Sequence, residues 1–235
     1  MALMLLVLCV GGSAAFDILF AKIKKQDIRI PYSGIITGLI LTLIIDPSAS
    51  WWQVLVIVFA ANGIKSFLRI SDSHIFNPAA SGLLVGFFLF GLSPSWWGPT
   101  PYSFDKLHPV NIGLAVSVFA LAYVSCYRFK RYFNVIAYLL TSIVLQIILL
   151  SSTFPNAIWA MINPGSLFFA LVMLPEPMTI PVNKIRQVLF GVLVAGVNLG
   201  LVYGLSAGAF SGIANFPDTS IIALLLANLL FFKFR

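Results

Sequence analysis

The chain has 235 residues, 60% of them hydrophobic and only 9% charged, with a net charge of +7 and a mean hydropathy of +1.01. A soluble domain carries about 25% charged residues to hold its surface in water, so this composition excludes a soluble fold and predicts an all-α integral membrane protein. The positive charge lies in short clusters rather than one broad patch, which excludes nucleic acid as a partner and leaves membrane lipid as the main environment.

A hydrocarbon core of about 30 Å takes about 20 apolar residues per helix. Apolar spans fall near 3–20, 33–46, 51–68, 78–92, 109–127, 133–152, 157–174, 187–206 and 217–232, about nine transmembrane helices. The first has no charged segment before it and no clean small-residue cleavage site, so a retained helix is expected rather than a signal peptide. Lys22, Lys24, Lys25 and Arg29 follow the first span, and Lys65 and Arg69 end the third. Arg128, Lys130 and Arg131 follow the fifth, Lys184 and Arg186 the seventh, Lys233 and Arg235 the ninth. The other connections carry only Lys106. Basic loops mark the cytoplasmic side, so the alternation predicts the N-terminus outside and the C-terminus inside. Trp51–Trp52 and Trp96–Trp97 then fall at outer boundaries, where amphipathic rings prefer to sit.

Two stretches repeat the same order of signals. Tyr32-Ser33-Gly34 opens an apolar run ending at Asp46-Pro47, and Asn163-Pro164-Gly165-Ser166 opens one ending at Glu176-Pro177. Each is followed by a full-length helix, and then by Phe76-Asn77-Pro78-Ala79 or by Phe216-Pro217-Asp218-Thr219. The copies are offset by five helices, an odd number, so the second is upside down. The expected organisation is one polytopic domain, with a first repeat over 1–127 and an inverted second repeat over 128–235, five helices and four. From Gly34 to Asp46 and from Gly165 to Glu176 there is roughly 18–20 Å of helix, too short to span. Short interrupted segments at matching places in two halves point to a binding site, although ordinary helices entered through a Pro turn would read alike.

Ionisable residues inside apolar segments are expensive and are functional candidates. Asp46 and Glu176 either face a central cavity from opposite sides or cap the next helix at the interface. Asn77 and Pro78 form a helix opening, with Asn as N-cap and Pro in the first turn, whose free N–H groups suit an anion or a polar ring edge. Lys65 either offers its charge to a phosphate or snorkels to the cytoplasmic face. His74 and His108, the only histidines, fall on opposite sides of the membrane, which excludes a bis-His haem. Cys9 and Cys126 lie in apolar stretches without a CxxC or a His/Cys cluster, so no disulfide framework or metal site is expected, and no catalytic triad stands out. Gly34/Gly38, Gly82/Gly86 and Gly196, Gly200, Gly204, Gly208 and Gly212 read as close helix packing.

At these residues the chain resembles the NqrB/RnfD family, the membrane components of the sodium-translocating NADH:quinone reductase and of the Rnf electron-transport complex. Ser33-Gly34-Ile35-Ile36-Thr37-Gly38-Leu39-Ile40-Leu41 is similar to the family's TGLLLAL helix. Lys65 followed by Ile75-Phe76-Asn77-Pro78-Ala79 is similar to its lysine and NIFNPA. Phe168-Phe169-Ala170 through Met173-Leu174-Pro175-Glu176-Pro177-Met178-Thr179-Ile180-Pro181 is similar to FFAFFMATDPVTSP, and Ile221 to Asn228 to its final FAILLMN helix. The resemblance implies a urea-transporter-like fold in a bacterial or archaeal cytoplasmic membrane. It implies electron transport through a membrane-bound flavin, FMN or riboflavin, with ion translocation. It also implies partner subunits of a redox complex, or a flavin or NAD(P)H reductase. Phe76, Asn77, Pro78 and Lys65 with Thr179, Glu176 and Asp46 are the expected flavin-binding residues. The family's Ser/Asp-Gly-Ala-Thr attachment motif is absent, so a non-covalent flavin is expected. The rival reading is a channel or transporter for a small polar solute on the same fold, since a fold alone does not set function.

Overall fold

The computed structural model describes residues 1–27, 30–70, 73–98, 109–210 and 215–234. Contacts divide the chain into two compact units, Met1–Gly98 and Pro99–Arg235.

In the first unit, α1 (Ala2–Ile23) is long and apolar enough to cross a membrane, and it widens into a π-helical stretch over Val7–Gly11. α2 (Tyr32–Ile44) has 13 residues, about 20 Å of helix, and stops short of a full crossing. α3 (Trp51–Phe67) starts in a capping box: Ser50 N donates to Gln53 Oε1 at 2.9 Å, and the Ser50 side chain takes the N3 amide. A two-residue hairpin, β1 (Arg69–Ile70) with β2 (Ser73–His74), pairs Arg69 with His74 and Ile70 with Ser73. It turns the chain into α4 (Pro78–Phe90), which ends on Gly91 at φ +67°. That left-handed C-cap is easy only for glycine.

Glycine decides how closely these helices approach. A Cβ on Gly38 would lie 2.5 Å from the Cys9 carbonyl oxygen, and one on Gly34 2.8 Å from that of Ser13. Gly82 meets Ala61 and the Ile57 carbonyl at 2.8 Å. The small residues of α2 and α4 therefore let backbone rest on backbone, as in membrane helix pairs generally.

The second unit holds α5 (Pro109–Arg128), α6 (Tyr132–Leu149) and a bent pair, α7 (Phe154–Ile162) and α8 (Pro164–Met173), angled by 61°. The apolar span expected near 157–174 is thus broken at Asn163-Pro164. Proline cannot continue the hydrogen-bond ladder of α7, and the Asn163 side chain restarts the helix by accepting from Gly165 N at 2.9 Å. α9 (Lys184–Ser206) follows, capped by Asn183, and then α10 (Thr219–Phe231), capped by Asp218. Gly191 of α9 packs against the backbone of Asn134 and Tyr138 on α6.

Among the described residues, three helices are long and apolar enough to cross a membrane: α1, α6 and α9. Counting the α7–α8 pair as one broken span makes four. The glycine stripe on α9 does not do what its spacing suggests. A Cβ on Gly196 or Gly200 would meet nothing within 4 Å, Gly204 faces Phe210, and Gly208 sits in a turn at φ +76°. Gly212 lies outside the described residues, as do Arg29, Lys106, His108 and Arg235.

Candidate functional site

The first unit gathers its polar residues at the basic end of α1, α2 and α3. Lys65 Nζ lies 2.8 Å from Asp17 Oδ1, with the two side chains 4% and 20% exposed. Lys65 is therefore buried and ion-paired, and does not snorkel to the surface. Gly34 N donates to Asp17 Oδ2 at 3.1 Å, so a single carboxylate ties three helices together. Just above, Asn62 Nδ2 donates to Ser13 Oγ at 3.1 Å and to the Val58 carbonyl at 2.9 Å. A cavity of about 170 Å³ opens beside the pair, lined by Asp17, Lys24, Asp27, Ser66 and Arg69 among others, and Lys24 Nζ donates to the Ser66 carbonyl at 2.9 Å. Asp17 escaped the sequence reading. The available signal was an acidic residue inside the apolar run of α1, which by itself marks a functional candidate.

Asn77 and Pro78 open α4 as the sequence suggests. Asn77 is 2% exposed, and its side chain accepts from Ala80 N at 3.0 Å. Gly82 sits against Ala61, so in this antiparallel pair one turn further places Pro78 level with Lys65. Phe76 is half-buried beside them. Asp46, by contrast, is spent locally: Oδ1 accepts from Ser48 N at 2.7 Å and its carbonyl accepts from Ala49 N at 3.0 Å. It closes the turn over 46–49 and does not cap the next helix, α3, whose N-cap is Ser50.

In the second unit the residues after α8 form a clamped turn. Thr179 is fully buried, and its hydroxyl donates to Glu176 Oε2 at 3.2 Å. Arg131 donates to the Pro181 carbonyl at 2.6 Å and to that of Pro177 at 3.3 Å. Asn134 Nδ2 donates to the Leu174 carbonyl at 3.2 Å, and Asn228 Nδ2 to that of Thr179 at 3.4 Å. Arg131 is 8% exposed; burial pushes its guanidinium below the ordinary range, yet arginine keeps its charge in proteins. None of Arg131, Asn134 and Asn228 was singled out in the sequence, because each acts on a backbone carbonyl far away in the chain.

The two half-helix openings differ in charge. α4 has a neutral cap in Asn77, which adds no charge of its own to the positive end of the dipole. α10 has Asp218, which accepts from Ser220 N at 2.9 Å and Ile221 N at 3.3 Å and cancels that field with its own carboxylate. A neutral cap and a half-buried aromatic ring thus lie near a buried ammonium that is ion-paired to Asp17. Among the described residues no group of three or more His, Cys, Asp or Glu is placed to hold a metal.

Sequence comparison bears on the same unit. Residues 1–112 match the model of the NQR2, RnfD, RnfE family. The D component of the ion-translocating oxidoreductase complex of Escherichia coli is 33% identical over 87 residues, covering 35% of this chain and 25% of that protein. Its namesake from Escherichia fergusonii is 32% identical over 108 residues, 44% of this chain and 30% of that protein. The matched segments thus span less than a third of these relatives. The chain is an integral membrane protein whose first 112 residues carry the sequence pattern of the NQR2, RnfD, RnfE family.

Proposed function

We propose that the chain is a membrane subunit of an ion-translocating electron-transfer complex and holds a non-covalent flavin, FMN or riboflavin. The observation that carries this reading is the Asn77-Pro78 opening of α4, level with the buried Lys65 and inside the family-matched segment. Phe76 would pack on the ring, and the positive end of α4 would favour an electron-rich or anionic group. The flavin, when bound, supplies the one- and two-electron chemistry, and the protein sets its position and field. Thr179 and Glu176, expected among the flavin residues, lie in the second unit; Asp46 contributes by shaping the turn into α3.

The same reading takes the chain as about nine spans in an inverted repeat, N-terminus outside, in a bacterial or archaeal cytoplasmic membrane. Three likenesses support the repeat. A short helix is followed by a long one in both units: α2 then α3, α8 then α9. A capped 13-residue helix follows each, α4 and α10. A buried asparagine on each long helix bonds to the first helix of its unit or repeat, Asn62 to Ser13 and Asn198 to Tyr138. Partners would be other subunits of a redox complex or a flavin or NAD(P)H reductase.

The test is an absorption spectrum of detergent-purified protein, then acid precipitation. Bands near ~370 and ~450 nm, as for an oxidised flavin, with colour released to the supernatant, are expected. A colourless protein that cannot be reconstituted with FMN or riboflavin would refute the flavin reading. Uptake of a small polar solute by proteoliposomes without redox partners would then favour a transporter.

A further inference from the structure

The cavity beside the Asp17–Lys65 pair opens at headgroup depth. α1 has 22 residues, Ala2–Ile23, about 33 Å of helix, enough to cross a hydrocarbon core of about 30 Å. Lys24, directly after its last residue, stands at the bilayer–water boundary, at the end of the span where Lys22, Lys24 and Lys25 cluster. Asp27 and Arg69 line the same cavity. Its volume of about 170 Å³ is smaller than the roughly 300–1,000 Å³ of pockets that enclose whole cofactors. It takes a small polar group rather than a flavin.

The walls carry both signs of charge. Lys24 and Arg69 are cationic, Asp17 and Asp27 anionic. Asp17 is already balanced by Lys65 at 2.8 Å, which leaves two cations and one carboxylate to meet an occupant. Helix capping accounts for only part of Lys24. Its Nζ donates to the Ser66 carbonyl in the last turn of α3 at 2.9 Å, and an ammonium has three donors. Ile18, Ala21, Ile30 and Pro31 also line the cavity. Ile30 is 63% exposed, so it joins the cavity to the apolar outer surface of the protein. A site for a free anion gains nothing from an apolar side at this depth, whereas a ligand with hydrocarbon tails needs one.

We propose that this cavity seats the headgroup of an amine-bearing phospholipid, a phosphoethanolamine on a diacyl tail. Its phosphate meets Lys24 and Arg69, where charge-assisted hydrogen bonds are strongest, and its ammonium meets Asp27. The acyl chains leave over Ile30 into the bilayer. The phosphodiester brings one negative charge and the primary amine one positive, matching the two signs on the wall. A choline headgroup has no N–H to donate to the Asp27 carboxylate, and a glycerol headgroup has no positive charge to offer it. A lipid held in this way touches α1, the entry to α2 and the hairpin after α3 together, and so fastens the basic end of the first unit. No flavin takes part, so the proposal stands or falls apart from the redox reading.

The test is native mass spectrometry of the full chain, purified in detergent, stripped of lipid and offered dioleoyl phosphatidylethanolamine, phosphatidylcholine and phosphatidylglycerol in equal amounts. Wild-type protein is expected to retain phosphatidylethanolamine with about a tenfold preference, the worth of one hydrogen bond between charged groups. D27N is expected to lose that preference, and R69Q to retain less of all three lipids, since each carries the phosphate. Both parent side chains are exposed, so neither variant disturbs the core. Soluble phosphoethanolamine, the same headgroup without tails, is expected to leave the bound lipid in place. Wild-type protein that binds none of the lipids, or all three alike, would overturn the proposal, whether or not any variant folds. So would release of the lipid by soluble phosphoethanolamine or inorganic phosphate, or a preference undiminished in D27N.

Discussion

The Asp17–Lys65 pair offers the sharpest test of how the first unit is held. At 2.8 Å and an effective dielectric constant of about 20, the attraction is about 6 kcal/mol before the cost of desolvating both ions. That cost cancels much of the gain, so the net worth of the pair is small, but a buried charge that loses its ion-pair partner is costly. K65M and D17N are each expected to destabilise the protein by about 3–5 kcal/mol. K65M should fall at the lower end, because Asp17 keeps the Gly34 amide and borders the cavity, where water can reach it. The double variant D17N/K65M should lose much less than the sum of the singles, since neighbours in one ion pair couple strongly. Unfolding in mixed micelles of increasing SDS fraction, followed by tryptophan fluorescence, measures all four corners of the cycle. Single variants that unfold with the wild type, or a double variant whose loss equals the sum, would refute a buried, coupled pair.

Three further outcomes follow from the same geometry. Gly38→Ala forces a Cβ to within 2.5 Å of the Cys9 carbonyl and is expected to cost about 1–3 kcal/mol by overpacking. Gly196→Ala, whose Cβ meets nothing within 4 Å, should be neutral or stabilise by up to about 1 kcal/mol; the same unfolding assay compares them. Asn77→Asp keeps an acceptor for Ala80 N and should preserve stability, while Asn77→Ala should cost about 1 kcal/mol. If α4 holds an electron-rich ring, the aspartate variant should nonetheless lose its yellow colour on purification, separating binding from folding. Arg131→Lys should expose the turn at 174–183 to proteolysis, because one ammonium cannot replace a planar fork that reaches the Pro177 and Pro181 carbonyls together.

Helix positions were legible because membrane helices announce themselves by apolar length, and the caps because Asn, Asp and Ser before a helix have few other uses. Asn77 accepts from the Ala80 amide as its N-cap reading requires, and Asn163 and Asp218 cap in the same way. What the sequence concealed was partnership. Lys65 stood out as a charge, but its partner Asp17 belongs to a different helix, and spacing along the chain says nothing of which helices touch. The glycines make the same point: repeats every four residues look alike in α2 and α9, yet only those of α2 lie against another backbone. Spacing shows that a face is smooth and leaves open whether anything rests on it. Asp46 bonds back to Ser48 and Ala49 in its own turn and leaves the cap of α3 to Ser50.

The clamped turn after α8 carries a consequence for how the protein is made. A ten-residue helix such as Pro164–Met173 is too short to insert as an independent span, and the turn that follows leaves peptide carbonyls needing donors. Two of those donors, Arg131 and Asn134, lie on chain synthesised before it, and the third, Asn228, on the last described helix. Chains are made from the N-terminus onward. α6 is therefore in place to receive α8 as it emerges, but the Thr179 carbonyl waits for α10. A ribosome-bound chain that ends before Asn228 would hold this turn half-fastened. The final helix would act as the latch that commits the second unit to its fold.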